Sequence, residues 1–490
     1  MITYDETYVN KICDEAIEKI QEFLQNKDFG NAEILIDQYL RVKDDWKARQ
    51  IATMIKMHLR KFAEAKKLCL HNIKEHGLAE DYNNLGLIAR AQNNKRLAYK
   101  YAKKAYEIKK DNPAIIGNFA IISQITQRHK QALRLINEAI ELDPKNWMYA
   151  FNKAAMVSET GKVRLAKKEF EKTLSLNPLE PTVNMDYFYC LMNLRMYKKA
   201  WHHYEFRYNK IGQLKKYIAK LDRPVLQIKK DLYEEKICII PEQGMGDNLM
   251  FLRFVKEFQK KAPNSYYLCP EPLVKFVDEV DIKKCSDMPE DTEFLISIMS
   301  LPYHLSISEI PSFVLNKKHE PKKTEKIKIG ICWAGSPYHP MDITRSANFL
   351  AFKPFLDDPD FEIYSFQKDR RPRCYVNEKG LFDYSKGFEN YPHIIDLSDE
   401  LTDAMRTAEC MDKIDVFVSV DTFPIHIAGS VGVPSYVLVS EYPDWRWGKK
   451  LSKSDWYQSV EIVRKSRRKS FEKIIFDLHK KIRNEHFVRS

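Results

Sequence analysis

The chain has 490 residues, 44% hydrophobic and 30% charged, the balance of a soluble globular protein of two to four domains. Its longest apolar runs, such as ICII and YVLV, are too short to span a bilayer, and the opening MITYDETYVNKICDE lacks a basic stretch followed by an apolar one, so no transmembrane segment or secretory leader is expected. The nine cysteines are scattered and form no CxxC pair; the expectation is a reduced, cytoplasmic protein with neither zinc nor disulfides.

The first half repeats. Alanines fall at 32, 65, 98, 132, 166 and 200, in steps of 33, 33, 34, 34 and 34. Asn84, Asn118 and Asn152 keep the same period, as do Ile108, Leu142 and Leu176, and Pro144 matches Pro178. Ala105 and Ala139 align, with Thr173 in the next slot. Small residues at fixed slots and a trailing proline at a 34-residue period are the tetratricopeptide signature. Each unit predicts two antiparallel helices. The alanine sits where they approach closely, and the proline ends the second helix because it has no backbone donor. One hairpin leaves an apolar face uncovered, so the units stack into a solenoid. Five or six fit residues 5 to about 212. Such an array offers a surface for a peptide or partner protein and does no chemistry itself. A rigid spacer or dimerisation platform is the alternative.

After residues 213–233, taken as a connector, the pattern changes. Short β-rich runs appear at 236–241 (KICIIP), 265–269, 293–299, 326–335 (KIKIGICWAG), 361–366, 415–420 (DVFVSV), 435–440 and 459–464. Helical stretches such as NLMFLRFVKEFQKK and DELTDAMRTAECM lie between them, and the alternation predicts parallel sheets. The charged HEPKKTEK, 319–326, reads as a linker. It divides this half into lobes of 234–322 and 323–490. Each lobe opens with an apolar strand and a glycine turn: PEQGMGD, then WAGS. Two Rossmann-like lobes would hold ligands beyond the carboxyl ends of their strands.

A nicotinamide fingerprint needs a third glycine after Gly244 and Gly246, and Leu249 stands in its place. No GxxxxGK[ST] occurs. In DVFVSVDTFPIHIAGSVGVP a strand is expected to end at Asp421 and Thr422, with a helix starting near Pro424. Its free amides attract phosphate, and Thr422 and His426 would add donors; an ordinary strand–helix unit with a capping Asp-Thr is the competing reading. Asp358-Pro359-Asp360 precedes a strand instead of ending one, so it reads as a turn and not as a metal-holding acid pair.

The motifs EQGMGD, GICWAGSP, SFQKD, SVDTFPIHIAGSVGVP and YPDWRWG follow the repeats in this order, after the junction AWHHYEFRY (200–208). Together they resemble the bacterial repeat-plus-glycosyltransferase proteins whose catalytic part is similar to the family 9 heptosyltransferases, and more distantly the O-GlcNAc transferases. The resemblance implies an α-solenoid followed by a GT-B fold, with the acceptor on the first lobe and the donor on the second. It implies an inverting, metal-independent transfer from a nucleotide sugar to a hydroxyl of a protein or glycan, with no cofactor. Asp247 matches the family's base; its alternative role is helix capping. Lys368, with Gln367 beside it, would meet the diphosphate. Ser336 and Arg345 would contact donor phosphate, although Arg345 could equally pair with an acid. Asp421, Thr422 and His426 would hold the diphosphate and sugar. Trp445 and Trp447 would stack on a sugar or base, or pack beneath a loop.

Net charge is +12, part of it in RKSRRKS (464–470) and HKKIRNEH (479–486). Aromatics are not interleaved with these clusters as a nucleic-acid stacking platform requires, so the tail reads as a closing helix and no nucleic acid is expected. The rival functional reading is a non-catalytic repeat scaffold with a vestigial transferase domain.

Overall fold

The structure is a computed structural model; it describes residues 6–210, 225, 234–315, 325–336, 339, 342–368, 375–377, 380–382, 385–441, 443–466 and 469–489. The linker residues 319–324, most of 213–233, and Cys374 lie outside them. Two compact units are resolved, residues 1–183 and 184–490.

The first unit is built from antiparallel helix pairs: α1 (Glu6–Gln25) with α2 (Phe29–Val42), α3 (Trp46–His58) with α4 (Phe62–Glu75), α5 (Ala79–Ala91) with α6 (Lys95–Ile108), α7 (Pro113–Ile125) with α8 (His129–Leu142), and α9 (Trp147–Glu159) with α10 (Val163–Leu176). The alanine column explains the pairing: Ala32, Ala65, Ala98, Ala132 and Ala166 are fully buried. A second column appears in the backbone. Lys27, Arg60, Asn93, Gln127 and Gly161 all have left-handed φ, between 58° and 76°, in the turn that closes each pair. Only the last of these is glycine, so the first four tolerate the penalty of about 1–2 kcal/mol that this conformation carries at a non-glycine residue. Pro144 and Pro178 follow the ends of α8 and α10, as expected. This is a tetratricopeptide-type solenoid.

The second unit begins inside α11 (Pro181–Asn193), which is followed by α12 (Tyr197–Tyr204) and α13 (Arg207–Lys210). Two parallel sheets come next. The first contains β1 (Ile237–Ile240), β2 (Ser265–Leu268), β3 (Lys284–Cys285) and β4 (Phe294–Ser297), in the order β3-β2-β1-β4. The second contains β5 (Ile327–Cys332), β6 (Phe361–Ser365), β7 (Ile395–Asp396), β8 (Val416–Val420), β9 (Ser435–Val439) and β10 (Val460–Arg464). Its order is β10-β9-β8-β5-β6-β7, and every pairing is parallel. The eight expected strands are all present. The two-residue β3 and β7 and a small hairpin, Tyr375–Asn377 with Gly380–Phe382, carry too little pattern to be read beforehand.

The helices of this unit include α14 (Met245–Lys261), α15 (Ala404–Met411), α16 (Phe423–Val431) and the C-terminal α17 (Phe471–Arg489). The last buries Phe471, Ile474, Ile475, Leu478 and Ile482 against the second sheet, so the basic stretch 479–486 lies on a packed helix, while RKSRRKS precedes it. Asp358-Pro359-Asp360 is a turn before β6, as expected. The eight described cysteines are free.

Candidate functional site

Both sheets reverse winding direction at an internal strand pair. In the second sheet β5 leads outward to β6 and β7, and β8 leads the other way to β9 and β10. The crevice beyond the carboxyl ends of β5 and β8 is the usual ligand position in such sheets. Gly335 and Ser336 follow β5 there, and Asp421 and Thr422 follow β8.

Thr422 is the N-cap residue of α16, but its side chain makes no capping bond; Pro424 occupies the first turn. Asp421 and His426 approach each other, with Oδ1 and Nε2 3.9 Å apart. His426 is buried, its Nδ1 lies 3.1 Å from the Tyr457 hydroxyl, and its ring stacks on Trp447. Burial pushes the imidazole down to about 4 against a weaker opposing pull from Asp421, so the ring is neutral at physiological pH.

The glycine turn of the first sheet meets this helix. Gly246 lies in the first turn of α14, where a Cβ would stand 2.6 Å from His426 Cδ2. Its smallness makes room for the imidazole. Neither turn glycine has a left-handed φ; that conformation belongs to Gln243, at 65°. The left-handed residue of the PEQGMGD turn is therefore Gln243, just before Gly244.

Both carboxylate oxygens of Asp247 have neighbours, one in a cap and one in an ion pair. As the third residue of α14 it accepts the Gly244 N–H at 3.0 Å, which makes it a cap. Its other oxygen is ion-paired with Arg446, a residue the sequence reading passed over. Arg446 is itself buried and also pairs with Asp444 at 2.5 Å. Burial brings its guanidinium down to about 10, which leaves it charged at neutral pH. Burial first, and the Asp421 charge second, push Asp444 up to about 7. The Arg446 contact and an open edge (36% of the side chain exposed) oppose that push, and we assign Asp444 as the ionised partner of Arg446. Among the described residues around this pair, Asp247 Oδ1, Arg446 Nε and Trp447 Nε1 are buried and make no hydrogen bond of regular geometry, so the Asp247–Arg446 contact is an ion pair.

The remaining candidates separate. Arg345 lies over Gly335, where a Cβ would meet its guanidinium at 2.4 Å, and pairs with Asp342 at 3.3 Å. Ser336 is exposed beside it. His339, between them in the chain, is held below its ordinary value by burial and by the Arg345 charge, with Asp421 pulling the other way. Gln367 is buried and committed to the turn: its Oε1 accepts the Trp333 and Ala334 N–H groups at 3.2 and 3.0 Å, and its Nε2 donates to Ala334 O at 3.1 Å. It shapes the WAG turn, with its Oε1 and an Nε2–H group used there. Lys368 stands at the end of β6, the strand next to β5, and its ammonium donates to the Leu401 carbonyl. Trp445 is packed among Trp201, Trp456 and Phe251, and Trp447 is fully buried under His426, so packing beneath a loop describes both. The arrangement therefore joins Asp247, Arg446, Asp444, Asp421 and His426, with Arg345 and His339 close enough to feel their charges. Among the described residues no group of three or more His, Cys, Asp or Glu side chains could hold a metal ion. Among the same residues no helix is long and apolar enough to cross a membrane.

The class these observations define is a tetratricopeptide-type helical-repeat chain carrying an α/β region of two parallel sheets. No protein-family model matches it, and no curated protein does. Solved structures similar to it include a tetratricopeptide protein of Thermus thermophilus, 12% identical with a TM-score of 0.34, covering 36% of this chain and 98% of that one. MamA of Desulfovibrio magneticus RS-1 is 13% identical with a TM-score of 0.30, over 34% of this chain and 95% of its own. YrrB, described as a tetratricopeptide protein with an unusual peptide-binding site, is 16% identical with a TM-score of 0.28, over 35% and 92%. Likeness at this level is likeness of helical-repeat fold and says nothing of the α/β region.

Proposed function

We propose that the protein is a glycosyltransferase of GT-B type that moves a sugar from a nucleotide-sugar donor to a hydroxyl acceptor with inversion, and that its repeats recruit a protein acceptor or partner. The observation that carries this reading is the contact of Gly246 with His426. It brings the Asp247 helix tip of one parallel sheet to the first turns of α16, beyond the carboxyl edge of the other.

In the proposed reaction the acceptor oxygen attacks the anomeric carbon while Asp247 takes the hydroxyl proton. The bond from that carbon to the diphosphate oxygen breaks, and the electron pair leaves with the nucleoside diphosphate. The α16 amides, Thr422 and Lys368 would face the leaving charge. Neutral His426 would offer a hydrogen bond without adding charge. Arg446 must give up Asp247 when the acceptor enters, since one carboxylate oxygen is already used by the cap.

That occupied carboxylate favours a second reading, in which the α/β region is a non-catalytic scaffold. A melting series with UDP, GDP and ADP, followed by nucleoside diphosphate release from their sugar conjugates, separates the two. Stabilisation and release support transfer. No shift with any of the three, and no release, leaves the scaffold reading.

A further inference from the structure

The junction motif AWHHYEFRY is not used by the donor or acceptor roles, yet its side chains occupy a defined place. Arg207 is completely buried, and all five of its N–H groups are engaged. Its Nε donates to Glu242 Oε1 at 3.0 Å and Nη2 to Glu242 Oε2 at 2.9 Å. Nη2 also reaches Ser300 Oγ at 2.7 Å, and Nη1 reaches Glu205 Oε1 at 2.8 Å and the Tyr204 carbonyl at 3.2 Å. The Tyr204 and Tyr208 rings cover the guanidinium, their centroids 4.5 and 4.6 Å from its carbon. This cluster fills the winding switch of the first sheet: Glu242 follows β1, and Ser300 lies just beyond β4, whose last residue, Ser297, also donates to Glu242.

Glu242 opens the turn that leads to Asp247. Its carbonyl accepts Asn248 Nδ2 at 3.1 Å. The next residue, Gln243, holds a left-handed φ of 65°, a conformation that costs a non-glycine residue about 1–2 kcal/mol and persists where its surroundings enforce it. Its side chain is held at both ends: Nε2 donates to the Tyr204 hydroxyl at 2.8 Å, and Oε1 accepts from Arg446 Nη2 at 3.3 Å. Arg446 in turn holds Asp247. A continuous polar chain thus runs from Tyr204 through Gln243 and Arg446 to the carboxylate. A buried ion pair is a weak source of stability compared with apolar filling of the same space, because both charges must be desolvated. What it supplies here is a fixed geometry.

We propose that Arg207 and Tyr204 are positioning residues for the turn that carries Asp247. The helices ending the repeat region are then part of the α/β site's framework. The catalytic half of this inference rests on the transferase reading; the structural half does not.

The test uses the full chain with Tyr204→Phe and Arg207→Lys. Amide hydrogen exchange is followed over 241–248, over β1 and over 250–260. Nucleoside diphosphate release is measured with UDP-, GDP- and ADP-linked sugars. Tyr204→Phe should speed exchange in 243–247 about tenfold, leaving β1 and the body of α14 protected. It should lower kcat about tenfold with the donor KM unchanged, and Arg207→Lys should act in the same direction and further. A merely structural role would lower the melting temperature and raise exchange across the whole second unit without this pattern. Should Arg207→Lys fail to fold, Tyr204→Phe, which removes one hydroxyl, decides. Unchanged exchange in the turn of Tyr204→Phe overturns the proposal. If no donor is turned over by the unaltered protein, the transferase reading falls, and the exchange measurement still judges the positioning role.

Discussion

The α-carbon of Gly246 is in contact with the imidazole of His426, so close that an added methyl group would stand 2.6 Å from Cδ2. The ring cannot retreat, since Trp447 stacks on it and Tyr457 OH holds Nδ1 at 3.1 Å. Gly246→Ala should therefore cost about 1–3 kcal/mol, as overpacking does, and separate the two helix tips. At Gly244 the nearest atom to a new Cβ is Asp247 Oδ2 at 3.3 Å, and φ is −84°, so Gly244→Ala should cost under about 1 kcal/mol. Urea midpoints of the two variants check the contrast; equal losses would remove the significance given to the contact.

His426 makes stability depend on pH. Its folded value, about 4, lies below the ordinary 6.5, so between these values the unfolded chain binds a proton that the folded one refuses. Stability from this residue is fully present above pH 6.5 and is lost as pH falls towards 4, by on the order of 3 kcal/mol. The upward push on Asp444 acts with opposite sign over an overlapping window, so the informative quantity is a difference. Denaturant unfolding at pH 4.5 and 7 should show less acid sensitivity in His426→Asn than in the unaltered protein (about 1–3 kcal/mol less).

Repeats were legible because a packing constraint recurs: Ala32 through Ala200 mark close helix contacts, all fully buried. The strands were legible because buried parallel strands read as continuous apolar runs such as VFVSV, which is buried throughout. Roles that depend on three-dimensional partners were not. Nothing in SFQKD says that Gln367 turns back to bind residues 333 and 334, and nothing in YPDWRWG says that Arg446 crosses to Asp247. Both are long-range pairings of loop residues with a turn or a helix tip, which leave no periodic trace in the sequence. Asp247 shows the limit from the other side: capping and catalysis ask for the same residue at the same place.

Gln367 should matter for folding more than for donor affinity. Replacing it with Leu leaves the buried Trp333 and Ala334 N–H groups without their acceptor, at a cost of about 2–3 kcal/mol. Gln367→Glu keeps the acceptor but loses the donor to Ala334 O and buries a charge, so it should be no more stable than the Leu variant. Melting temperatures without ligand test this; a stable Gln367→Leu protein would return the residue to the donor site.

Asp247→Asn keeps an oxygen for the Gly244 N–H and loses the charge opposite Arg446, which retains Asp444. The variant should lose no more than about 1–2 kcal/mol of stability while transfer falls about 100- to 10,000-fold. Donor affinity should be nearly unchanged. Full turnover by the variant would reduce Asp247 to its cap.

Lys368 tests the leaving-group end of the site. Its ammonium now rests on the Leu401 carbonyl, a neutral acceptor that a diphosphate would outcompete. Lys368→Ala should therefore leave the unliganded melting temperature nearly unaltered. For the unaltered protein, a nucleoside diphosphate at a hundred times its Kd should stabilise by about 2.7 kcal/mol. Loss of one charge-assisted hydrogen bond, about 1.5–3 kcal/mol, should remove about half to nine-tenths of that at the same concentration. A melting shift that survives intact in Lys368→Ala would mean that the diphosphate binds without this lysine, and would move the leaving-group role to the α16 amides and Arg345.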